Sequence, residues 1–134
     1  MKIAFIACSK SKKIGTMEAK LLYSASDLFT KSYLYAKKHY DKIFILSAKY
    51  GLLNPDDIIS TYNDTLNDKS KEQKKIWALS VLDKLTRLIS KDDELYFLCG
   101  NNYRQFLWEL PNPKFAPLKN LGIGKQLKFL KDGL

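Results

Sequence analysis

Cysteine and histidine are almost missing. The chain has two cysteines, Cys8 and Cys99, and one histidine, His39, in 134 residues. That excludes a disulfide-stapled secreted scaffold. It also excludes a zinc site of the usual composition, which draws four ligands mainly from Cys and His, so neither metal nor cofactor is expected. No apolar run approaches the ~20 residues needed to span a bilayer. The run after Met1-Lys2 is too short for a secretory leader and lacks a small-residue cleavage site. We therefore expect a cytoplasmic protein with reduced, unbridged thiols and no membrane partner. Acidic residues are also scarce: 14 against 23 Lys and Arg, a net charge of +9. An excess of that size in so short a chain favours an anionic partner, namely nucleic acid, nucleotide or phosphate, over a merely basic surface.

What is present is a core. Hydrophobic residues make up 46% of the chain and aromatics 13%, enough for one domain spanning residues 1–134. Lys2–Cys8, Lys42–Ser47 and Glu94–Cys99 are short apolar runs that read as strands buried on both faces. Helical periodicity covers Ser24–Tyr40, capped by Ser24 or Ser26, and Lys69–Ile89. In the second helix, Ile76, Leu79, Leu82, Leu85, Leu88 and Ile89 form one stripe. Shorter helices are expected at Asn101–Leu110, stopped by Pro111 and Pro113, and at Gly124–Lys131. Residues 54–72 read as one long irregular stretch. Alternating strands and helices predict an α/β fold, a single three-layer domain with a mostly parallel central sheet and helices on both faces. Ligands of such sheets bind beyond the carboxyl ends of the strands.

Three strand exits therefore matter. The first is C-S-K-S-K-K, where loop amides, Ser9 and Lys12 make an anion cradle. Cys8 is either a nucleophile with a thiol activated by nearby lysines or a small residue closing a strand; no histidine stands beside it as base. The P-loop glycine spacing is absent. The second exit is S-A-K-Y-G-L-L-N-P-D-D-I-I-S-T-Y. Ser47 ends a buried strand, Lys49 and Tyr50 point toward the Lys12 crevice, and Gly51 takes a positive φ. Tyr62 offers a ring for base stacking. Asp56 or Asp57 either orients a base or ribose or caps the turn. The third exit is C-G-N-N-Y-R. Gly100 allows close approach, and Asn101 with Tyr103 suits base-edge hydrogen bonding and stacking, or Asn101 simply caps a helix. Tyr23, Ser24 and Ser26 either bring converging hydroxyls near the first exit, or Tyr23 is plain core.

C-S-K-S-K, A-K-L-L-Y-S-A-S-D-L-F, I-L-S-A-K-Y-G-L-L-N-P-D-D-I-I-S-T-Y-N-D-T-L, L-C-G-N-N-Y and P-L-K-N-L-G-I-G-K-Q-L-K-F-L follow one another in an order that resembles a small bacterial and phage family of the YaaA-like superfamily. The resemblance covers residues 3 to 130, and the Ser47–Leu66 block is its specific part. It implies a basic, DNA-binding protein of the peroxide-stress response. More distantly, Cys8…Tyr23-x-x-Ser26 is similar to the core motif of archaeosine synthase, which acts on a modified guanine in transfer RNA. Phe29 stands where that motif has histidine, and Ala7 where it has proline.

Two functions lead, ahead of a third, a phosphate-ester- or nucleotide-binding regulator. One is an enzyme acting on a nucleobase or N-glycosidic bond in DNA or RNA, with Cys8, Lys12, Ser26 and Asp56 as catalytic candidates. Its substrate-binding candidates are Ser9, Tyr23, Ser47, Lys49, Tyr50, Gly51, Tyr62, Gly100, Asn101 and Tyr103. The other is a non-catalytic DNA-binding protein.

Overall fold

The computed structural model describes all residues, Met1–Leu134. The strands are β1 (Lys2–Ala7), β2 (Thr16–Glu18), β3 (Lys42–Ser47), β4 (Gly51–Leu53), β5 (Ile58–Ser60), β6 (Glu94–Leu98) and β7 (Lys114–Phe115). The helices are α1 (Ala19–Leu22), α2 (Asp27–His39), α3 (Lys71–Leu88), α4 (Asn101–Arg104) and α5 (Ile123–Asp132). β4, β3, β1, β6 and β7 lie in that order in one sheet. Its pairs are parallel except for the β3–β4 hairpin at one edge. β2 and β5 form a separate two-stranded antiparallel ribbon.

Side chains alternate across the sheet and so build two cores. Ile3, Phe5, Phe44, Leu46, Leu95 and Phe97 face α3. Ala4, Ile6, Ile45 and Leu98 face α1, α2 and α5. Register puts Phe5 beside Phe44 and Phe97. The three rings stack across the strands, with centroids 4.8 Å (Phe5–Phe97) and 5.8 Å (Phe5–Phe44) apart. Sheet and two helical layers make the expected α/β sandwich.

β3, β6 and the ends of α2 fall within a few residues of expectation, with Ser26 as the α2 cap: its Oγ accepts from Phe29 N at 3.2 Å. Other expectations need correction. The buried stripe of α3 is Ala78, Val81, Leu82 and Leu85, whereas Ile76, Leu79 and Leu88 are exposed. Apolar residues cover more than one face of this helix, and the sheet took the face whose small Ala78 and branched Val81 allow close approach. Residues 54–72 are not irregular throughout. They hold β5, whose partner β2 lies about forty residues away, and the turn Leu66–Asp68. Residues 105–110 are turns rather than the remainder of a ten-residue helix. No helix is long and apolar enough to cross a membrane.

Candidate functional site

β1 leads through α2 to β3 on one side of it, and β3 returns through α3 to β6 on the other. Strand order thus reverses between β1 and β6, and a crevice opens beyond their carboxyl ends. Cys8, Ser9 and Lys10 leave β1 into that crevice and divide it. Cys8 N still donates to Leu46 O at 2.9 Å, so the divider starts from a fixed point on the sheet.

On the α2 and α5 side lies a cavity of about 260 Å³, lined by apolar Leu28, Phe29, Leu98 and Leu118 together with Ser26, Gly100 and Gln126. On the α3 side lies a polar cavity of about 460 Å³. Lys12, Asp64, Asp68, Asn67 and Tyr103 line it with the divider. Lys69 holds Asp64 at 2.7 Å and, with Lys12 nearby, keeps that carboxyl below its ordinary range. No lysine or arginine pairs with Asp68. The Tyr103 hydroxyl lies 3.3 Å from Cys8 Sγ and accepts from Leu66 N at 3.4 Å. Burial raises the Tyr103 phenol well above its ordinary value, so it remains protonated and able to donate.

The structure brings together Cys8, Ser9, Lys12 and Tyr103 in one cavity, and Cys8, Ser9, Ser26 and Gly100 in the other. It separates the rest. Tyr23 and Ser47 are both 0% exposed and line neither cavity. They form a hydroxyl ring with Tyr62: Tyr23 Oη donates to Ser47 Oγ at 3.3 Å, Ser47 Oγ lies 3.0 Å from Tyr62 Oη, and the two phenols are 2.7 Å apart. Each hydroxyl has one proton. With Tyr23 donating to Ser47, Ser47 donates to Tyr62 and Tyr62 to Tyr23. Ser47 Oγ also accepts from Tyr50 N at 3.0 Å, and Trp77 Nε1 donates to Ser47 O at 2.8 Å. This ring ties the 48–62 excursion to the sheet. Burial pushes the Tyr23 phenol up to about 12.

Tyr62 is no free stacking platform, since Lys12 Nζ sits over its ring 4.5 Å from the centroid and its hydroxyl is held by Tyr23 and Ser47. Lys49 does not share a side with Ser47, because residues 48–50 turn and leave it exposed. Tyr50 Oη donates to Ser60 O at 3.1 Å and so secures β5. Gly51 has the expected positive φ, 73°. Asp56 lies outside both cavities on an exposed turn, where Lys20 holds it at 2.6 Å. Asn101 lines a different cavity with Arg104, Gln105, Trp108 and Lys119.

Asp64, Asp68 and Asn67 escaped the sequence reading. The signal available was the doublet N-D-T-L-N-D, which repeats an Asn-Asp pair four residues apart with no apolar residue but Leu66. Neither cysteine is bridged. No group of three or more His, Cys, Asp or Glu side chains converges as a metal site would require.

Fold and site together define an α/β protein with a divided, two-sided cavity at the point where a parallel sheet reverses its strand order. The chain belongs to a family of unknown function (DUF6884), whose model matches residues 3–132. A search among curated proteins finds no match to it.

Proposed function

We propose that the chain is a nucleobase- or nucleoside-directed enzyme acting at an N-glycosidic bond in DNA or RNA. The observation that carries this reading is the division of the crevice: a partly apolar cavity suits a base, and the adjoining cavity with lysines and carboxylates suits a sugar and phosphate. The resemblance to the nucleic-acid-directed YaaA-like superfamily supports it.

An N-glycosidic bond breaks through a sugar that carries positive charge, which a neighbouring carboxylate stabilises. Asp64, held ionised by Lys69, suits that task and is a poor base for the same reason. Asp68 is the candidate base. It takes a proton from the water whose oxygen bonds to C1′, while the C1′–N electron pair leaves on the base. Lys10 and Lys12 hold the phosphate. Cys8 is the wall between the cavities. His39 is bonded to Gly133 O at 2.7 Å, on the last residues of the chain, and does not line the site as a base for that thiol.

The test is release of free base from nucleosides and oligonucleotides, followed by chromatography and mass spectrometry. Asp68→Asn should lower turnover at least ~100-fold through loss of the general base, and Asp64→Asn at least ~100-fold through loss of charge stabilisation at the sugar, while Cys8→Ser retains it. Turnover unchanged by both aspartate variants would remove the assignment. The second reading, a non-catalytic DNA-binding protein, is favoured by the charge of +9. It predicts salt-sensitive binding with no released base under any condition.

A further inference from the structure

Beyond α4 lies a separate cavity of about 260 Å³ lined by Asn101, Arg104, Gln105, Trp108 and Lys119. No acid lines it. Four of the five recur at i, i+3, i+4 and i+7, which places them on one face of α4 and the turns that continue it. Trp108 is 40% exposed. Its ring leans on core Phe97 with centroids 5.6 Å apart, and Lys114 Nζ lies 5.8 Å from its centroid; both fix the indole, whose exposed part lines the cavity. Arg104 Nη1 donates to Cys99 O at 2.9 Å, so the guanidinium is anchored at the end of β6. Lys119 is exposed and makes no ion pair.

An anchored indole, two amide side chains and two cations without a counter-ion match one ligand chemistry: an unpaired base with its phosphate. The position matters as much as the composition. Gly100 lines the smaller switch-point cavity and Asn101, the next residue, lines this one. Both cavities therefore reach the Gly100–Asn101 peptide, just beyond the carboxyl end of β6.

We infer that the Trp108–Lys119 cavity holds the nucleotide flanking the one in the switch-point crevice. The ligand is then an unpaired strand of DNA or RNA, not a free nucleoside. This rests on the reading of the crevice as a nucleoside site. A paired duplex would not present a base to Trp108.

The test is binding of fluorescently labelled dT10 and rU10, competed by thymidine and uridine monophosphates and by a hairpin duplex. Wild type should bind a ten-mer at least about tenfold more tightly than the monophosphate, the value of one stacked base. The duplex should compete weakly. Trp108→Ala should remove most of that gain with monophosphate affinity unchanged. Lys119→Glu, which touches nothing in the core, should weaken ten-mer binding and flatten its log–log salt slope by ~0.7 or more. Trp108 packs on Phe97, so Lys119→Glu carries the test if Trp108→Ala does not fold. If the monophosphate binds but the ten-mer gains nothing, or both variants bind the ten-mer as wild type does, this site is refuted and the crevice reading stands. If neither monophosphate nor ten-mer binds, both fall. Equal affinity for dT10 and rU10 identifies base and phosphate as the features read; a preference for rU10 that dU10 does not share adds the 2′-hydroxyl.

Discussion

Ser47→Ala decides whether the serine closing β3 is a ligand contact or a structural knot. The substitution removes one oxygen from a site with 0% exposure. Tyr50 N–H, which donates to that oxygen at 3.0 Å, is left without an acceptor. An unsatisfied part-buried donor costs about 1–3 kcal/mol. The two phenols keep each other at 2.7 Å, so they lose one bond each from the ring rather than all their partners. The expected destabilisation is about 2–3 kcal/mol. For a domain of this size that lowers Tm by about 10 °C. Thermal denaturation followed by circular dichroism measures it. Tyr62→Phe should cost less, about 1 kcal/mol, because no backbone amide is orphaned: the Ser47 proton loses its acceptor and the Tyr23 oxygen its donor. The two should not add, since they share one network. A Ser47→Ala protein that melts within about 2 °C of wild type, and yet no longer binds nucleotide, would refute the hydroxyl ring as a structural device.

Gly51→Ala should destabilise by about 1–2 kcal/mol through backbone strain alone, since φ is +73° and an added Cβ would meet only Val81 at 3.8 Å; Gly51→Asn should recover part of the loss in the same melting assay. In a thiol titration with an aromatic disulfide, Cys8 should react readily, whereas Cys99, buried and pushed up to about 12, should react only on unfolding; two thiols reacting at one fast rate would contradict the burial of Cys99. Asp93 is held below its ordinary value of 3.8 by the amino terminus at 2.8 Å. Its contribution to stability is therefore complete above pH ~4 and lost as pH falls through the lower folded value, and Asp93→Asn should flatten acid denaturation in that window.

Local signals were enough for several parts of this protein. The apolar runs at Ile3, Phe44 and Phe97 mark buried strands because only such runs survive between two helical layers. Ser26 marks a helix start because a hydroxyl is needed there by the first free amides. Gly51 marks a turn because a Cβ is strained at positive φ. The lysine-rich exit after Cys8 was legible as chain leaving the core at the carboxyl edge of the sheet, since a core has no use for those side chains; it lines two cavities there.

Contacts between distant segments were a different matter. Nothing local distinguishes Asp56 from Asp64, two carboxylates on one polar stretch. Pairing of β5 with β2 turns the first toward Lys20 on the surface and lets the second return to the β1 exit. Serine and tyrosine read equally well as ligand contacts or buried partners, and only the meeting of Tyr23, Ser47 and Tyr62 from three parts of the chain satisfied their hydroxyls internally. The stripe of α3 was likewise settled by the sheet, because a helix apolar on more than one face buries whichever face packs closest. Secondary structure follows from each segment's own periodicity; which polar groups are spent on one another, and which are left to meet a ligand, depends on separations of tens of residues that only the folded chain closes.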